Sequence, residues 1–144
     1  MIKEKQKSLT TQTGNKMEKN ILVTPRSLSK GDHPALNILY DAGLNPVFPS
    51  PGRQPTEEEL LSTITDVVGY LAGVEKVTAK VLEKADKLKV ISRNGVGIDN
   101  IDIESTNKYN IKVCKAVGAN ARGVADLTLA HMLAISINIA HNDF

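Results

Sequence analysis

Short apolar segments alternate with amphipathic ones along the chain after residue 20. Five apolar segments have the length and side-chain types of strands: residues 21–24, 45–49, 67–72, 88–92 and 111–114. The segments between them have the helical spacing of apolar positions. Strands that alternate with helices favour a parallel sheet with short crossovers. The pattern therefore predicts an α/β fold with a doubly wound, parallel five-stranded sheet and a flavodoxin-like strand order.

Helix boundaries are marked by residues with known capping preferences. The helical spacing of residues 34–42 ends at Gly43, a frequent residue just beyond a helix C-terminus. Thr56, followed three positions later by Glu59, predicts a capping box at the start of the next helix. Thr78 is expected to cap the helix after the third strand. These residues divide the chain into successive strand–helix units.

The segment from Ala121 to Ala140 predicts one long helix that differs from the others. Its apolar residues lie around most of the cylinder: Val124, Leu127, Leu129, Met132, Leu133, Ile135, Ile137 and Ile139. Such a helix should be buried on nearly all faces, and one sheet covers only one side, so we expect a second domain or a partner subunit. The expected organisation is a tail at residues 1–19, a binding domain at 20–118 and an interdomain or dimerisation helix at 119–144.

Charge and composition exclude several classes of protein. Residues 1–20 contain five lysines and two glutamates, so the positive charge of this polar tail exceeds the net charge of +2 of the whole chain. The tail is expected to be disordered. Aromatic residues make up 3% of the chain, too few for stacking on bases, so no nucleic-acid partner is expected. A single cysteine, Cys114, fits a reducing, cytoplasmic compartment. No apolar run reaches the length of a membrane span.

A glycine-bearing turn follows the fourth predicted strand and precedes a predicted helix at residues 103–109. Gly95 and Gly97 allow positive φ and a close approach of a ligand to the backbone. In open α/β sheets, ligands bind at the carboxyl ends of the strands. Asp99 is expected to cap the helix, with Asp102 able to reach back to it. The turn predicts a small-ligand site, or else a plain strand-to-helix connection.

Arg93 favours a small acidic ligand at this turn. Its planar guanidinium matches a carboxylate or phosphate through two parallel hydrogen bonds, and free backbone N–H groups also attract anions. The alternative role of Arg93 is a surface ion pair with a nearby carboxylate. The turn is not the dinucleotide-binding pattern G-x-G-x-x-G, because that pattern needs a third glycine where the chain has Asn100.

Other reactive residues do not form a recognisable site. His33, His131 and His141 are widely separated, and none has metal-ligand spacing with Cys114, so no metal site is predicted. Cys114, at a strand end, is expected to be a small buried residue. A phosphoacceptor domain of the receiver type is excluded, because residues 71–74 at the end of the third strand contain no carboxylate.

Two segments resemble shared motifs of the D-isomer-specific 2-hydroxyacid dehydrogenases. The substrate-loop signature of that family is similar to residues 88–102, LKVISRNGVGIDNID. Its second shared segment is similar to residues 117–130, VGANARGVADLTLA. The resemblance extends over residues 20–140 and concerns the N-terminal, substrate-binding part of such enzymes. It implies an NAD-dependent enzyme that oxidises a small acidic substrate, a D-2-hydroxy acid, usually as a homodimer.

The resemblance also implies roles for individual residues. The expected substrate-binding residues are Ala72, Gly73, Arg93, Asn94, Gly95, Val96 and Gly97. Backbone N–H groups of residues 94–97 would hold the substrate carboxylate, and Arg93 would help to bind an acidic substrate. Val96 would lie beside the nicotinamide end of NAD. The helix from Ala121 to Ala140 would pass into the cofactor domain and contribute to the homodimer interface.

Two departures from the family pattern limit what the resemblance implies. Members that act on 3-phosphoglycerate often have an additional arginine after the third strand, and this chain has AGVE at residues 72–75 instead. The catalytic Arg, Glu and His of the family, and its dinucleotide fingerprint, have no counterpart in residues 1–144, so no catalytic residue is expected here. The chain would then be an inactive, truncated piece of a dehydrogenase. The alternative is a stand-alone, non-catalytic α/β module that binds a small anion or a protein.

Overall fold

Five parallel strands form a sheet in the computed structural model of the protein, which describes residues 19–136. The strands are β1 (Asn20–Val23), β2 (Asn45–Val47), β3 (Val67–Ala72), β4 (Val90–Arg93) and β5 (Lys112–Lys115). Their order across the sheet is β2-β1-β3-β4-β5, and every neighbouring pair is parallel. This confirms the predicted flavodoxin-like order, in which the direction of the connections reverses between β1 and β3.

Helices connect the strands at the predicted places. They are α1 (Asn37–Asp41), α2 (Glu57–Thr63), α3 (Ala79–Glu83), α4 (Ile103–Lys108) and α5 (Ala121–Ser136), with short 3-10 segments at Pro34–Leu36 and Ile64–Asp66. The helical region that begins at Pro34 ends before Gly43, whose φ of 69° is a left-handed conformation that glycine adopts readily. The alternation of strands and helices predicted from the apolar pattern is therefore confirmed.

One hydrophobic cluster fills the space between the sheet and the helices α2 and α3. Its fully enclosed members include Leu22 of β1, Leu60 of α2, Tyr70 of β3, Val81 of α3 and Ile91 of β4. Strand β3 lies in the middle of the sheet, which is why its sequence is apolar without strict alternation. This core fixes the relative positions of the loops that follow β1, β3 and β4.

The last two strands begin later than the sequence pattern predicts. Leu88 and Ile111 are buried, but their N–H groups donate to the carbonyls of Ala85 and Thr106, in or just after the preceding helices, and not to a neighbouring strand. Each strand begins only where pairing with its neighbour becomes possible. Because β5 is the edge strand, Cys114 is exposed, so the prediction of a buried cysteine is wrong.

The two predicted caps formed by threonines have different outcomes. At the start of α2, the capping box of Thr56 and Glu59 is confirmed in both directions. Thr78 occupies the N-cap position of α3, but its hydroxyl donates to Oε1 of Glu57 at 2.6 Å and makes no hydrogen bond to the helix. The hydroxyl of Thr78 therefore links α2 to the start of α3.

The cap of α4 is Asp102 and not Asp99, so that part of the sequence prediction is wrong. Oδ1 of Asp102 accepts a hydrogen bond from the amide of Ser105 at 2.8 Å. Both aspartates match the N-cap preference, and the preceding loop decides between them. The amide of Asp102 donates to the carbonyl of Val77 at 3.0 Å, and Val77 also forms a parallel bridge with Ile101. These contacts join the loop before α4 to the loop after β3.

Helix α5 extends over Ala121–Ser136, and its large apolar side chains are exposed in the described part of the chain. Ile135, for example, is 81% exposed. The second domain or partner subunit expected to cover them stays a prediction. Residues 137–140 of the predicted helix, and residues 1–18 of the predicted disordered tail, lie outside the described residues. None of the described helices combines the length and hydrophobicity needed to cross a membrane.

The carboxylate of Glu59 is surrounded by donors at the start of α2. It forms a two-point ion pair with Arg53, and its Oε2 also accepts from the amide of Thr56 at 2.9 Å and the hydroxyl of Ser50 at 2.8 Å. These contacts lower the pKa of Glu59 from 4.5 to about 2, and the hydrogen bond with Arg53 has the largest effect. A carboxyl whose pKa is lower in the folded state stabilises the fold above its unfolded pKa.

We expect part of the free energy of unfolding to be lost as the pH falls from about 4.5 toward 2, because Glu59 is then protonated. The Glu59→Gln variant should be less stable than the parent at neutral pH and should show a flatter acid dependence over this range. Urea unfolding monitored by circular dichroism at a series of pH values measures both effects. Glu58→Gln is the matched control, because Glu58 is exposed in the same helical turn. Identical acid dependences of the parent and Glu59→Gln would contradict this role.

Candidate functional site

A cavity of about 420 Å³ lies at the carboxyl edge of the sheet, over the ends of β1, β3 and β4. It is lined by residues 24–27 after β1, residues 73–75 after β3, Arg93 and Asn94 at the end of β4, and Gln54 from the loop before α2. The switch point between β1 and β3 lies here, which is where open α/β sheets bind ligands. This cavity is therefore the candidate functional site.

The loop after β4 uses some of its backbone N–H groups for folding and leaves others free. The amide of Asn94 donates to the carbonyl of Ala72 at 2.9 Å, and that of Gly95 donates to the carbonyl two residues earlier at 2.8 Å. The amides of Val96 and Gly97 have no acceptor among the described residues. Of the four amides predicted to hold an anion, these two are therefore the ones available.

Ala72 and Gly73 end β3 beside this loop, and the structure gives them different positions. The side chain of Ala72 is fully buried and its carbonyl accepts from Asn94, so Ala72 anchors the loop without lining the cavity. Gly73 does line the cavity. A Cβ atom at position 73 would lie 2.7 Å from Oε2 of Glu75 and 3.3 Å from Cα of Pro25. The close approach of these loops therefore requires glycine at position 73.

Arg93 is half-buried at the edge of the cavity, and its charge is not paired with a carboxylate of residues 19–136. One terminal nitrogen donates to the carbonyl of Asn94, and Nε lies 3.4 Å from Oδ1 of Asn100. The salt bridges among residues 19–136 all involve other side chains, so the alternative role in a surface ion pair is not observed there. Gly95, with a φ of 151°, leaves room for the guanidinium, because a Cβ atom there would lie 2.8 Å from Nη1.

Asn100 connects Arg93 to the loop after β3. Its Nδ2 donates to the carbonyl of Glu75 at 2.7 Å and to the carbonyl of Gly73 at 3.3 Å, while its Oδ1 accepts from Arg93. A glycine, which the dinucleotide pattern would place at this position, could make none of these side-chain bonds. Asn100 is therefore a positioning residue that holds the two sides of the cavity together.

A buried carboxylate, Glu75, lies in the wall of the cavity, although the sequence pattern does not single it out. Its Oε1 accepts from the hydroxyl of Tyr70 at 2.7 Å, the amide of Gly73 at 2.9 Å and the hydroxyl of Thr24. The pKa of Tyr70 is raised well above its ordinary value, mainly by burial and in second place by the negative charge of Glu75. The phenol therefore remains a hydrogen-bond donor. The sequence feature that could have indicated this residue is a glutamate shortly after a buried strand at the switch point.

The remaining predicted residues take up different places. The side chain of Val96 is 38% exposed. Its own amide is one of the two free amides, and the other belongs to the next residue, Gly97. Nδ1 of His33 accepts from the amide of Ala35 at 3.1 Å and caps a 3-10 segment, and His131 is exposed on α5, so neither lines the cavity. His141 lies outside the described residues. Within residues 19–136, no cluster of His, Cys, Asp or Glu side chains is arranged to hold a metal ion.

The resemblance implies one cofactor-binding residue among the described residues, Val96, and its side chain is exposed. The pyrophosphate of a dinucleotide would instead need the glycine-rich turn at the start of a helix, and Asn100 replaces the third glycine of that pattern with bonds that build the cavity. Residues 19–136 therefore do not form a dinucleotide site by themselves.

Known proteins share this loop and sheet with the chain. Residues 21–141 match the family described as D-isomer specific 2-hydroxyacid dehydrogenase, catalytic domain. Over 85 residues the chain is 49% identical to D-3-phosphoglycerate dehydrogenase from Methanocaldococcus jannaschii, covering 58% of this chain and 16% of that protein. Over 85 residues it is 40% identical to hydroxypyruvate reductase from Thermotoga maritima, covering 58% of this chain and 28% of that protein.

A solved structure with cofactor bound also resembles the fold. The NAD+-bound 3-phosphoglycerate dehydrogenase from Entamoeba histolytica superposes with a TM-score of 0.68 and 28% identity, covering 81% of this chain and 39% of that chain. The chain thus spans less than two fifths of each of these relatives. The family match includes every residue that lines the cavity. This chain belongs to the D-isomer specific 2-hydroxyacid dehydrogenase family.

Proposed function

We propose that this chain provides the substrate-binding site of an NAD-dependent oxidoreductase that acts on the CH–OH group of a D-2-hydroxy acid. The observation that carries the proposal is the pair of free amides at Val96 and Gly97 beside the guanidinium of Arg93, which has no carboxylate partner among the described residues. Family membership supports a hydroxy acid as the ligand class. Two of the chain's relatives, a phosphoglycerate dehydrogenase and a hydroxypyruvate reductase, are named for different substrates.

The carboxylate of the substrate would accept hydrogen bonds from the amides of Val96 and Gly97 and from Arg93. Hydrogen bonds to charged groups contribute roughly 1.5–3 kcal/mol each, so these contacts are sufficient to orient a small acid. The present partner of the guanidinium is the exposed carbonyl of Asn94, which a carboxylate can replace. Asn100 would keep the guanidinium in place during this exchange.

The described residues would bind and orient the substrate, whereas a bound nicotinamide would supply the hydride acceptor for C2. With the carboxylate at positions 96–97, C2 would lie near the exposed side chain of Val96, and the C3 substituent would extend into the cavity. The carboxyl group that lines the cavity, Glu75, is buried and already accepts from three donors. We therefore propose that residues 19–136 do not carry out the proton transfer and that this chain alone gives no turnover.

We also propose a homodimer in which α5 contributes to the interface. The helix presents large apolar side chains to solvent along the described part of its length: Val124, Leu127, Leu129, Met132, Leu133 and Ile135. A contiguous apolar surface of this kind is typical of an interface and not of a free surface. The covering partner would be a second copy of the chain or another domain of the same enzyme.

A second candidate function is a non-catalytic module that binds a small anion. It is favoured by one observation: the cavity and its cationic edge are formed by residues 24–94 without any further domain. The two candidates differ in stereochemistry. A hydroxyacid site holds the carboxylate and the C3 substituent at separate places, so the enantiomers direct their 2-hydroxyl groups differently. A simple anion site has no such requirement.

Titration of the purified chain with D-glycerate and L-glycerate, measured by calorimetry, tests the proposal. We expect saturable binding with a preference for the D enantiomer. Equal affinity for both enantiomers would favour the anion-binding module. In the presence of NAD+ and D-glycerate, the chain alone is expected to give no increase in NADH absorbance, and turnover would contradict the proposed division of roles.

A further inference from the structure

The buried carboxylate of Glu75 is not used by the proposed function, although it lines the cavity. Glu75 is 2% exposed, and the hydrogen bonds of its carboxylate to described residues are all made by one oxygen, Oε1, which accepts from Tyr70, Gly73 and Thr24. Three groups that can donate a hydrogen bond converge on this one oxygen, which therefore acts as an acceptor. Thr24 follows β1, and Gly73 follows β3, so the carboxylate lies at the switch point itself.

The second oxygen of Glu75 is free to accept a hydrogen bond from a ligand. Oε2 makes no hydrogen bond to any described residue. No fully enclosed side-chain nitrogen or oxygen atom of residues 19–136 lacks a partner, so Oε2 must be reachable from the cavity that Glu75 lines. Position 73 has no side chain, and any Cβ atom there would lie 2.7 Å from Oε2. The absence of a side chain at position 73 therefore leaves space beside this oxygen.

We propose that Glu75 determines substrate specificity by accepting a hydrogen bond from a donor on C3 of the 2-hydroxy acid. The substrate class is an unphosphorylated D-2-hydroxy acid with a hydroxyl group at C3, and a phosphate at C3 is disfavoured by the buried negative charge. This inference rests on the proposed function, because it takes the carboxylate of the substrate to lie at residues 96–97. It extends the family assignment to a choice that the names of the relatives leave open.

Two arginines, Arg26 and Arg93, line the same cavity, but neither is placed to favour a phosphate at C3. Arg93 is the partner of the substrate carboxylate. Arg26, which follows β1, is exposed, so its attraction for an anion is screened by water and salt. The charge of Glu75 is buried and is screened much less. We therefore expect repulsion by Glu75 to exceed attraction by Arg26 for a phosphate placed at the switch point.

Calorimetric titration of the full chain with three ligands tests the inference. D-glycerate has a hydroxyl at C3, D-lactate has none, and 3-phosphoglycerate has a phosphate. We expect D-glycerate to bind about tenfold or more tightly than either of the others, because only its C3 hydroxyl group can donate a hydrogen bond to the carboxylate of Glu75. In Glu75→Gln, the preference for D-glycerate over 3-phosphoglycerate should fall about tenfold. Glu83→Gln, at an exposed glutamate outside the cavity, should keep the parent preference.

The possible outcomes separate this inference from the proposed function. Tighter binding of 3-phosphoglycerate than of D-glycerate, or an unchanged preference in a folded Glu75→Gln variant, would overturn the role of Glu75 and leave the proposed function intact. Absence of binding by all three ligands would overturn both. If the variant does not give the parent circular dichroism spectrum, the order of affinities of the parent chain still decides the question.

Discussion

Replacing Arg93 with alanine is expected to weaken the binding of D-glycerate roughly 10- to 100-fold. The guanidinium is held at the cavity edge by Asn100 and has no carboxylate partner among residues 19–136, so its charge is available to the ligand. Loss of hydrogen bonds to a charged group costs roughly 1.5–3 kcal/mol, which corresponds to this change in the dissociation constant. Calorimetric titration of the parent and the variant measures the effect directly.

The stability of the Arg93→Ala variant should change little, because the hydrogen bonds that Arg93 makes are to an exposed carbonyl and to a side chain at 3.4 Å. Arg122→Ala removes the same charge at an exposed position of α5, where the nearest carboxylate, that of Asp126, is 3.9 Å away. This control should bind D-glycerate as the parent does. Equal affinities of the parent and Arg93→Ala would show that the anion site lies elsewhere.

Replacing Ile91 with alanine is expected to lower the free energy of unfolding by about 2–5 kcal/mol. Ile91 is 0% exposed in β4 and belongs to the cluster that joins the sheet to α2 and α3. Removal of three carbon atoms there loses apolar burial and leaves a cavity that rigid neighbours cannot fill. Urea unfolding monitored by circular dichroism gives the difference.

Ile38→Ala is the matched control for this change. Ile38 lies on α1 and is 72% exposed, so the same truncation removes almost no buried surface. We expect a change within about 0.5 kcal/mol. Similar losses for both variants would mean that the stability of this fold does not depend on the cluster around β4.

The strands and the loop of the site could be predicted from the sequence because both depend on local features. Central parallel strands are buried on both faces, so β3 appears as the continuous apolar run VVGYLA. Glycines at positions 95 and 97 mark the turn at the carboxyl edge, where Arg93 follows directly from β4. Strand length, turn composition and position at the sheet edge are all properties of contiguous residues.

The contacts that complete the site could not be predicted, because they join residues distant in sequence. Glu75 accepts from Thr24, a partner in a different strand–helix unit, and Asn100 reaches back to the carbonyls of Gly73 and Glu75. The use of the Asn94 amide depends on the register of β3 against β4, in which Ala72 is opposite Arg93. A pattern of residue types contains none of this information.

One capping prediction failed because two local solutions were equivalent. Asp99 and Asp102 both satisfy the N-cap preference, and only the hydrogen bond from Asp102 to Val77 selects the second. The apolar sequence of α5 predicts that another surface covers this helix, but it does not distinguish a second copy of the chain from another domain.

The most direct test of the account is a ¹H–¹⁵N NMR titration of the labelled chain with D-glycerate. We expect the largest changes in amide proton shift at Val96 and Gly97, because these N–H groups have no acceptor within residues 19–136 and would donate to the carboxylate. Asn94 and Gly95 should change less, since their amides already donate within the fold. Saturable binding that leaves Val96 and Gly97 unchanged would contradict the assignment of this loop as the substrate carboxylate site.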